Sequence, residues 1–284
     1  MTSLYQLLIG AIIGLVQGVA EWLPISSKTQ VLIASNYLLG LSFQQAYTFG
    51  LFMEIGTVIA AVIYFRNELA ALVSVLLGSR NEQSRKLFAF VVVSIIMTGL
   101  IGAPLYLIAD SITGFSIGIP MLLIGAVLIA DALLIRYSRK QANRANTRKL
   151  KNLRISDYIV VGIAQGIAAL PGVSRSGITT SAMLLLNVEA DEAFRLSFLT
   201  GIFASVAAFG LTLIATNVNV SVAVASIGLA GLGTAIIVSI IVSLFLIDFL
   251  IKTAGRSKIV YLTAALGIIA VASGLISLAT GIGG

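Results

Sequence analysis

The chain has 284 residues, of which 58% are hydrophobic and 10% charged, and its mean hydropathy is +1.07. So little polar surface cannot clothe a water-soluble globule, and an integral membrane protein is the expected class. There is no Cys and no His, which excludes disulfides, thiolate nucleophiles, Cys/His zinc sites and a Ser-His-Asp triad. The net charge of +7 does not indicate nucleic acid, because 15 of the 18 Lys and Arg fall in three short stretches, each after an apolar run: four from Arg66 to Lys86, eight from Arg136 to Arg154 and three from Lys252 to Lys258. Clusters placed in this way read as cytoplasmic loops facing anionic lipid.

The first 27 residues carry no Lys or Arg, so the opening apolar stretch lacks the basic region of a secretory signal and is expected to belong to the mature protein. This stretch, Leu4 to Ser42, is broken by a Pro and Ser cluster at Leu23 to Thr29. Three segments of about 20 apolar residues follow, enough to cross a bilayer: Tyr47 to Phe65, Leu87 to Ala109 and Ser116 to Ile135. Beyond the basic linker at 136–154 lies a second broken region, Asp157 to Asn187, interrupted at Leu170 to Thr180, and then Leu196 to Val218, Ser221 to Leu250 and Ile259 to Thr280. The halves of the broken regions are mostly too short to cross. With the basic loops inside, the first region must enter and leave from outside and the second from inside. The expected fold is therefore an all-α integral membrane protein of six transmembrane helices and two re-entrant helical hairpins. It lies in the plasma membrane with both termini extracytoplasmic.

Self-similarity supports the same arrangement. GLVQGVAEWLP from Gly14 matches GIAQGIAALP from Gly162, pairing Gln17 with Gln165 at an offset of 148 and Pro24 with Pro171 at 147. The offset of 147 persists downstream, where Gln44-Gln45-Ala46-Tyr47 aligns with Asp191-Glu192-Ala193-Phe194. One membrane domain, 1–284, thus holds a first repeat at 1–140 with its hairpin at 4–42 and a second at 155–284 with its hairpin at 157–187. Each copy has an odd number of spans, so the two have opposite topology. Non-helical backbone at membrane depth is tolerated only where it is buried or lines a wet cavity. The two tips are therefore expected to meet, each aiming the N–H groups of a half-helix N-terminus at an anion.

The first tip runs Gln17 to Gln30 and includes Glu21, Pro24, Ser26, Ser27 and Lys28; the second runs Pro171-Gly-Val-Ser174-Arg175-Ser176-Gly-Ile-Thr179. Gln17 and Glu21, four apart, share a helix face, and a carboxylate in apolar surroundings is a functional candidate. One Arg among hydroxyls at a half-helix start suits a phosphate or carboxylate ligand, or else a structural bridge to Glu21. Lys28 either contacts that ligand or snorkels to headgroups. Glu54, within the first span, is a second carboxylate for metal or base work or a partner of hairpin backbone. Asp131 and Asp248 are expected to pair locally with Arg136 and Lys252, and Gly10, Gly14 and Gly18 to form a close-packing face.

QGVAE followed by LPISS, together with PGVSRSGIT, resembles the two signature motifs of the undecaprenyl-diphosphate phosphatase family, the bacitracin-resistance type, over essentially the whole chain. The resemblance implies hydrolysis of a long-chain polyprenyl diphosphate to its monophosphate, recycling a lipid carrier for cell-envelope glycan synthesis. It implies Ser27, Glu21 and Arg175 as the catalytic group with Ser174, Ser176 and Thr179 as supporting hydroxyls; the residues themselves add Gln17, Ser26, Lys28 and Gln30 as candidate substrate contacts, Lys28 and Gln30 being departures from the family pattern. A divalent cation, Mg²⁺ or Ca²⁺, would be held by Glu21 and Glu54. Many members carry Gly-His where this chain has Thr29-Gln30, so a mechanism through His cannot operate. Glu21 can serve as base or metal ligand, and Ser27, Ser26 or water can be the nucleophile. The competing reading is a secondary transporter or flippase for an anionic lipid or small anion, since broken helices in inverted repeats also serve alternating access. The Gly-rich stretch from Gly228 to Gly233 would permit a homodimer or internal packing alike.

Overall fold

Proline forces the first break. The residue before a proline is disfavoured in the α region, so the helix that carries Gln17 stops short of Leu23-Pro24, and the chain turns through Ser26, whose φ is 57°. A computed structural model describes residues 3–41, 43–112, 147–170, 173–215 and 220–253, with scattered positions between 122 and 140 and between 265 and 275. In chain order its α-helices are α1 (Ser3–Ala20), α2 (Ser27–Leu39), α3 (Phe43–Tyr64), α4 (Arg66–Leu76), α5 (Glu82–Ile112), α6 (Ile155–Ile167), α7 (Arg175–Leu185), α8 (Ala190–Ala215) and α9 (Val220–Lys252). Among the described residues there is no strand, only an isolated bridge between Arg148 and Val188.

Three of these helices contain stretches long and apolar enough to cross a membrane: Glu82–Ile108, Ala190–Gly210 and Ile227–Lys252. A fourth candidate is the pair Phe52–Tyr64 and Arg66–Leu76, bent by 75°. The expected spans Ser116 to Ile135 and Ile259 to Thr280, and Asp131 with them, fall largely or wholly outside the described residues. Both broken regions are helix pairs. At 13 residues, α2 is about 20 Å long, some two-thirds of a hydrocarbon core. Leu8, Leu77, Leu100, Leu229 and Phe245 are among many large apolar side chains left exposed, as a lipid-facing exterior requires.

Packing between the halves is reciprocal. α1 lies chiefly on α9 and α6 chiefly on α5; α2 packs on α3 and α7 on α8; α3 also meets α9, and α5 meets α8. Glycine permits the closest of these approaches. A Cβ at Gly10 or Gly14 would strike the backbone of Gly231 or Ala235 on α9, and one at Gly162 or Gly166 would strike Ser94 and Met97 or Ile101 on α5. The glycine face expected on α1 is thus present, and the matching glycines of α6 form its counterpart. Gly228 and Gly231 turn inward against Gln6.

The basic linker is not wholly a solvated loop. Arg148 hydrogen-bonds through its backbone to Asn187 and Glu189, while its guanidinium pairs with Asp157 at 2.6 Å. Asp157 in turn accepts from the Arg154 N–H at 2.8 Å, capping α6. Asp248 behaves as expected, pairing with Lys252 at 2.7 Å, and it also accepts from Tyr64.

Gly14→Ala should lower stability by about 1–3 kcal/mol, because the added methyl overpacks a backbone contact. Gly233→Ala, which meets nothing within 4 Å, should stay within roughly 1 kcal/mol of wild type. Thermal unfolding of both variants in one detergent checks the contrast.

Candidate functional site

The two tips dock directly on each other. Ser176 Oγ donates to the Leu23 carbonyl at 3.1 Å, and a Cβ at Gly177 would press on Pro24. Trp22 fills the space beside them, edge-on to Phe198 with ring centroids 5.0 Å apart, so the single Trp is a packing residue. Ser174 caps α7 by accepting from the Gly177 N–H. At the start of α2, Ser26 makes no side-chain cap; its Oγ accepts from Thr29 instead.

Glu21, just past α1, is the point where both tips converge. Its Oε2 accepts from Gln17 Nε2 at 3.0 Å and from Ser27 Oγ at 2.6 Å. Its Oε1 is ion-paired with the Arg175 guanidinium. The other branch of that guanidinium donates to the Gly201 carbonyl and to Ser205 Oγ at 3.1 Å, both on α8. A second pair stands nearby: Lys28 Nζ lies 3.6 Å from Glu54 Oε1, with the Glu54 side chain 8% exposed. Lys28 therefore reaches toward α3, where Glu54 engages it across from the first tip.

These groups line one cavity of about 310 Å³. Glu21, Ser26, Ser27, Lys28 and Glu54 come from the first half of the chain, and Gln165, Ser174 and Arg175 from the second; Ile95, Gly99 and Ala103 of α5 and Ala204, Ala207 and Ala208 of α8 supply apolar wall. A polar floor with an apolar side suits a ligand with an anionic head and a hydrocarbon tail.

Four expected substrate contacts do not line the cavity. Gln17 is fully buried behind Glu21; Gln30 donates to the Ile25 carbonyl at 3.0 Å; Ser176 ties the tips together; Thr179 donates to the Arg175 carbonyl at 2.6 Å and meets Ser197. Gln30 and Ser176 each satisfy a carbonyl at a break, where helix pairing is lost, whereas Gln17 braces the Glu21 carboxylate and Thr179 bonds within its own helix. Gly201, Ser205, Thr98 and Gln165 were not among the expected site residues. Gln165 donates to Thr98 Oγ1 and accepts from Thr200 Oγ1, both at 3.0 Å, and its match to Gln17 was the signal that could have singled it out.

The donor set speaks against a metal ion held by the protein alone. Among the described residues no group of three or more acidic side chains comes together, and Glu21 and Glu54 each already face a cationic side chain. A divalent ion in this cavity would draw its ligands mainly from phosphate oxygens and water, as Mg²⁺ commonly does.

A sequence model of the bacitracin resistance protein BacA matches residues 10–272. The chain is 50% identical over 272 residues to an undecaprenyl-diphosphatase of Saccharolobus solfataricus, covering 95% of this chain and 96% of that protein. It is 52% identical over 257 residues to an undecaprenyl-diphosphatase of Saccharolobus islandicus, covering 90% and 91%. At 34% over 270 residues it matches a protein of the same name from Pyrobaculum aerophilum, covering 94% and 97%.

Glu21→Gln alone should cost about 3 kcal/mol, because it strands a largely buried guanidinium. Adding Arg175→Met should recover much of that loss. Unfolding in mixed micelles reads both effects, and a double variant no more stable than the single one would contradict the pairing.

Proposed function

The chain belongs to the BacA family of bacitracin resistance proteins, and from that premise we propose that it hydrolyses undecaprenyl diphosphate to undecaprenyl phosphate and inorganic phosphate. It is a membrane phosphatase, a phosphoric anhydride hydrolase. The observation that supports this reading most directly is the meeting of Ser27 Oγ, the Glu21 carboxylate and the Arg175 guanidinium on the wall of one cavity. A transporter is not favoured: a serine hydrogen-bonded to a carboxylate beside a phosphate-binding Arg has a task in hydrolysis and none in alternating access.

In this reading the Glu21–Arg175 pair is the resting state. The diphosphate draws Arg175 onto its terminal phosphate by bidentate contact, which uncovers Glu21. Ser27 Oγ attacks the terminal phosphorus while its proton passes to Glu21. The bond from that phosphorus to the bridging oxygen breaks, and undecaprenyl phosphate leaves with the electron pair. Water then attacks the phosphoserine, Glu21 returns its proton to Ser27 as that bond breaks, and the surplus proton of the water goes to solvent. Arg175 and the N–H groups opening α2 and α7 neutralise the charge that develops. Ser26 and Ser174 contact phosphate oxygens; Gln17, Gln30, Ser176 and Thr179 hold the tips in place. Mg²⁺ or Ca²⁺ accompanying the diphosphate would supply further charge neutralisation, and no step above is routed through it.

The proposal includes the arrangement in the bilayer: six spans and two re-entrant hairpins in inverted-topology repeats, basic loops cytoplasmic, the site opening toward the extracytoplasmic face. Reciprocal packing of α1 on α9 and α6 on α5 supports it, since two copies related by a two-fold axis in the membrane plane would exchange partners in this way.

Phosphate release from undecaprenyl diphosphate by the purified protein tests the function. Ser27→Ala, Glu21→Gln and Arg175→Ala should each reduce kcat/KM by about 10²–10⁴-fold, the range for loss of a positioned acid, base or anion-stabilising group. Full activity in Ser27→Ala would shift the attack to water or Ser26. A folded wild type that releases no phosphate would overturn the reading.

A further inference from the structure

The offset of 147 that pairs Pro24 with Pro171 also pairs Ser27 with Ser174, Lys28 with Arg175 and Glu54 with Gly201. Lys28 and Arg175 are two of the three basic residues outside the basic clusters, and both line the same cavity. Each sits in the first turn of the helix that leaves its tip and reaches to the first long helix of its own repeat. Arg175 finds the neutral carbonyl of Gly201 there, whereas Lys28 finds a carboxylate, Glu54. The two cations are matched by two anions, Glu21 and Glu54, so the resting wall has no net charge to offer a ligand. An anion must exchange with a carboxylate for each cation it takes.

We propose that Lys28 is the residue that makes the site selective for a diphosphate over a monophosphate, with Glu54 as its resting counterion. This rests on the phosphatase reading. Arg175 takes the terminal phosphate, and Lys28 leaves Glu54 to take the phosphate that bears the prenyl chain. An ammonium is a compact point charge that can be handed from one oxyanion to another without a fixed geometry. Glu54 keeps that charge from standing buried and unpaired while the cavity is empty. A free monophosphate has a single head group, which the bidentate fork of Arg175 takes in preference to the ammonium, so Lys28 stays on Glu54.

The sign of two substitutions separates this from a purely structural ion pair. With the full chain in detergent, KM for undecaprenyl diphosphate and the inhibition constant of undecaprenyl phosphate are measured for wild type, Lys28→Met, Glu54→Gln and the double variant. Lys28→Met should raise KM about tenfold or more, the worth of one charge-assisted contact, and leave inhibition by the monophosphate within about twofold. Glu54→Gln should lower KM, because it removes the competitor for Lys28. The double variant carries no stranded charge and should fold with the raised KM of Lys28→Met. Equal effects on diphosphate and monophosphate would overturn the selectivity. A raised KM in Glu54→Gln would make the pair structural, or Glu54 a metal ligand, and overturn it equally. A wild type without phosphatase activity defeats the reading beneath, an outcome distinct from both.

Discussion

The ion pair between Glu21 and Arg175 is the constraint on which the site depends. It joins two half-helices more than 150 residues apart in the chain, at a depth where neither charge could stand alone without a cost of several kcal/mol. Glu21 also gathers Ser27 and Gln17, and Arg175 reaches α8 through Gly201 and Ser205. One buried charge pair therefore sets the position of the serine hydroxyl, both tips and the wall of the cavity at once.

Such a pair can form only if the tips are carried to the same place, and small residues do that work. Where an apolar medium removes the hydrophobic drive between helices, close backbone approach and dispersion hold them together. Gly10 and Gly14 let α1 settle on α9, as Gly162 and Gly166 let α6 settle on α5. The exchange of partners between halves brings the two breaks face to face, and Gly177 lets Pro24 close the seam. Backbone groups freed by the breaks are then satisfied by Ser174, Ser176 and Gln30. Several of the polar side chains in the motifs are thus occupied in making the broken backbone tolerable.

Charge balance also shapes the chemistry. A site that binds a polyanion needs cations, but buried cations need counterions while the site is empty. Pairing each cation with a carboxylate meets both demands, and it makes substrate binding an exchange of oxyanions. In the proposed mechanism the same exchange would bare Glu21 as a base when the diphosphate arrives, which would make binding and activation one event. This arrangement needs no imidazole, in keeping with a chain that has no His.

The membrane class, the two breaks and most of the chemical cast are legible in the sequence, because these depend on local rules: apolar length against bilayer thickness and proline against helix; an offset of 147–148 between like segments is legible there too. Glu21, Ser26, Ser27, Lys28, Glu54, Ser174 and Arg175 were all legible as site candidates, and all line the cavity. The sequence left several things open. It gave no way to tell Gln17, Gln30, Ser176 and Thr179, which brace the tips, from residues that face the cavity, since both kinds are polar and adjacent. It placed Arg148 in a basic loop facing anionic lipid, because its partner Asp157 lies nine residues on and the pairing requires the chain to fold back. The partners of Lys28 and Arg175 were likewise undecided. A charge in an apolar segment must find an opposite charge, but which one is a matter of distances between helices remote in sequence, and only tertiary packing sets those.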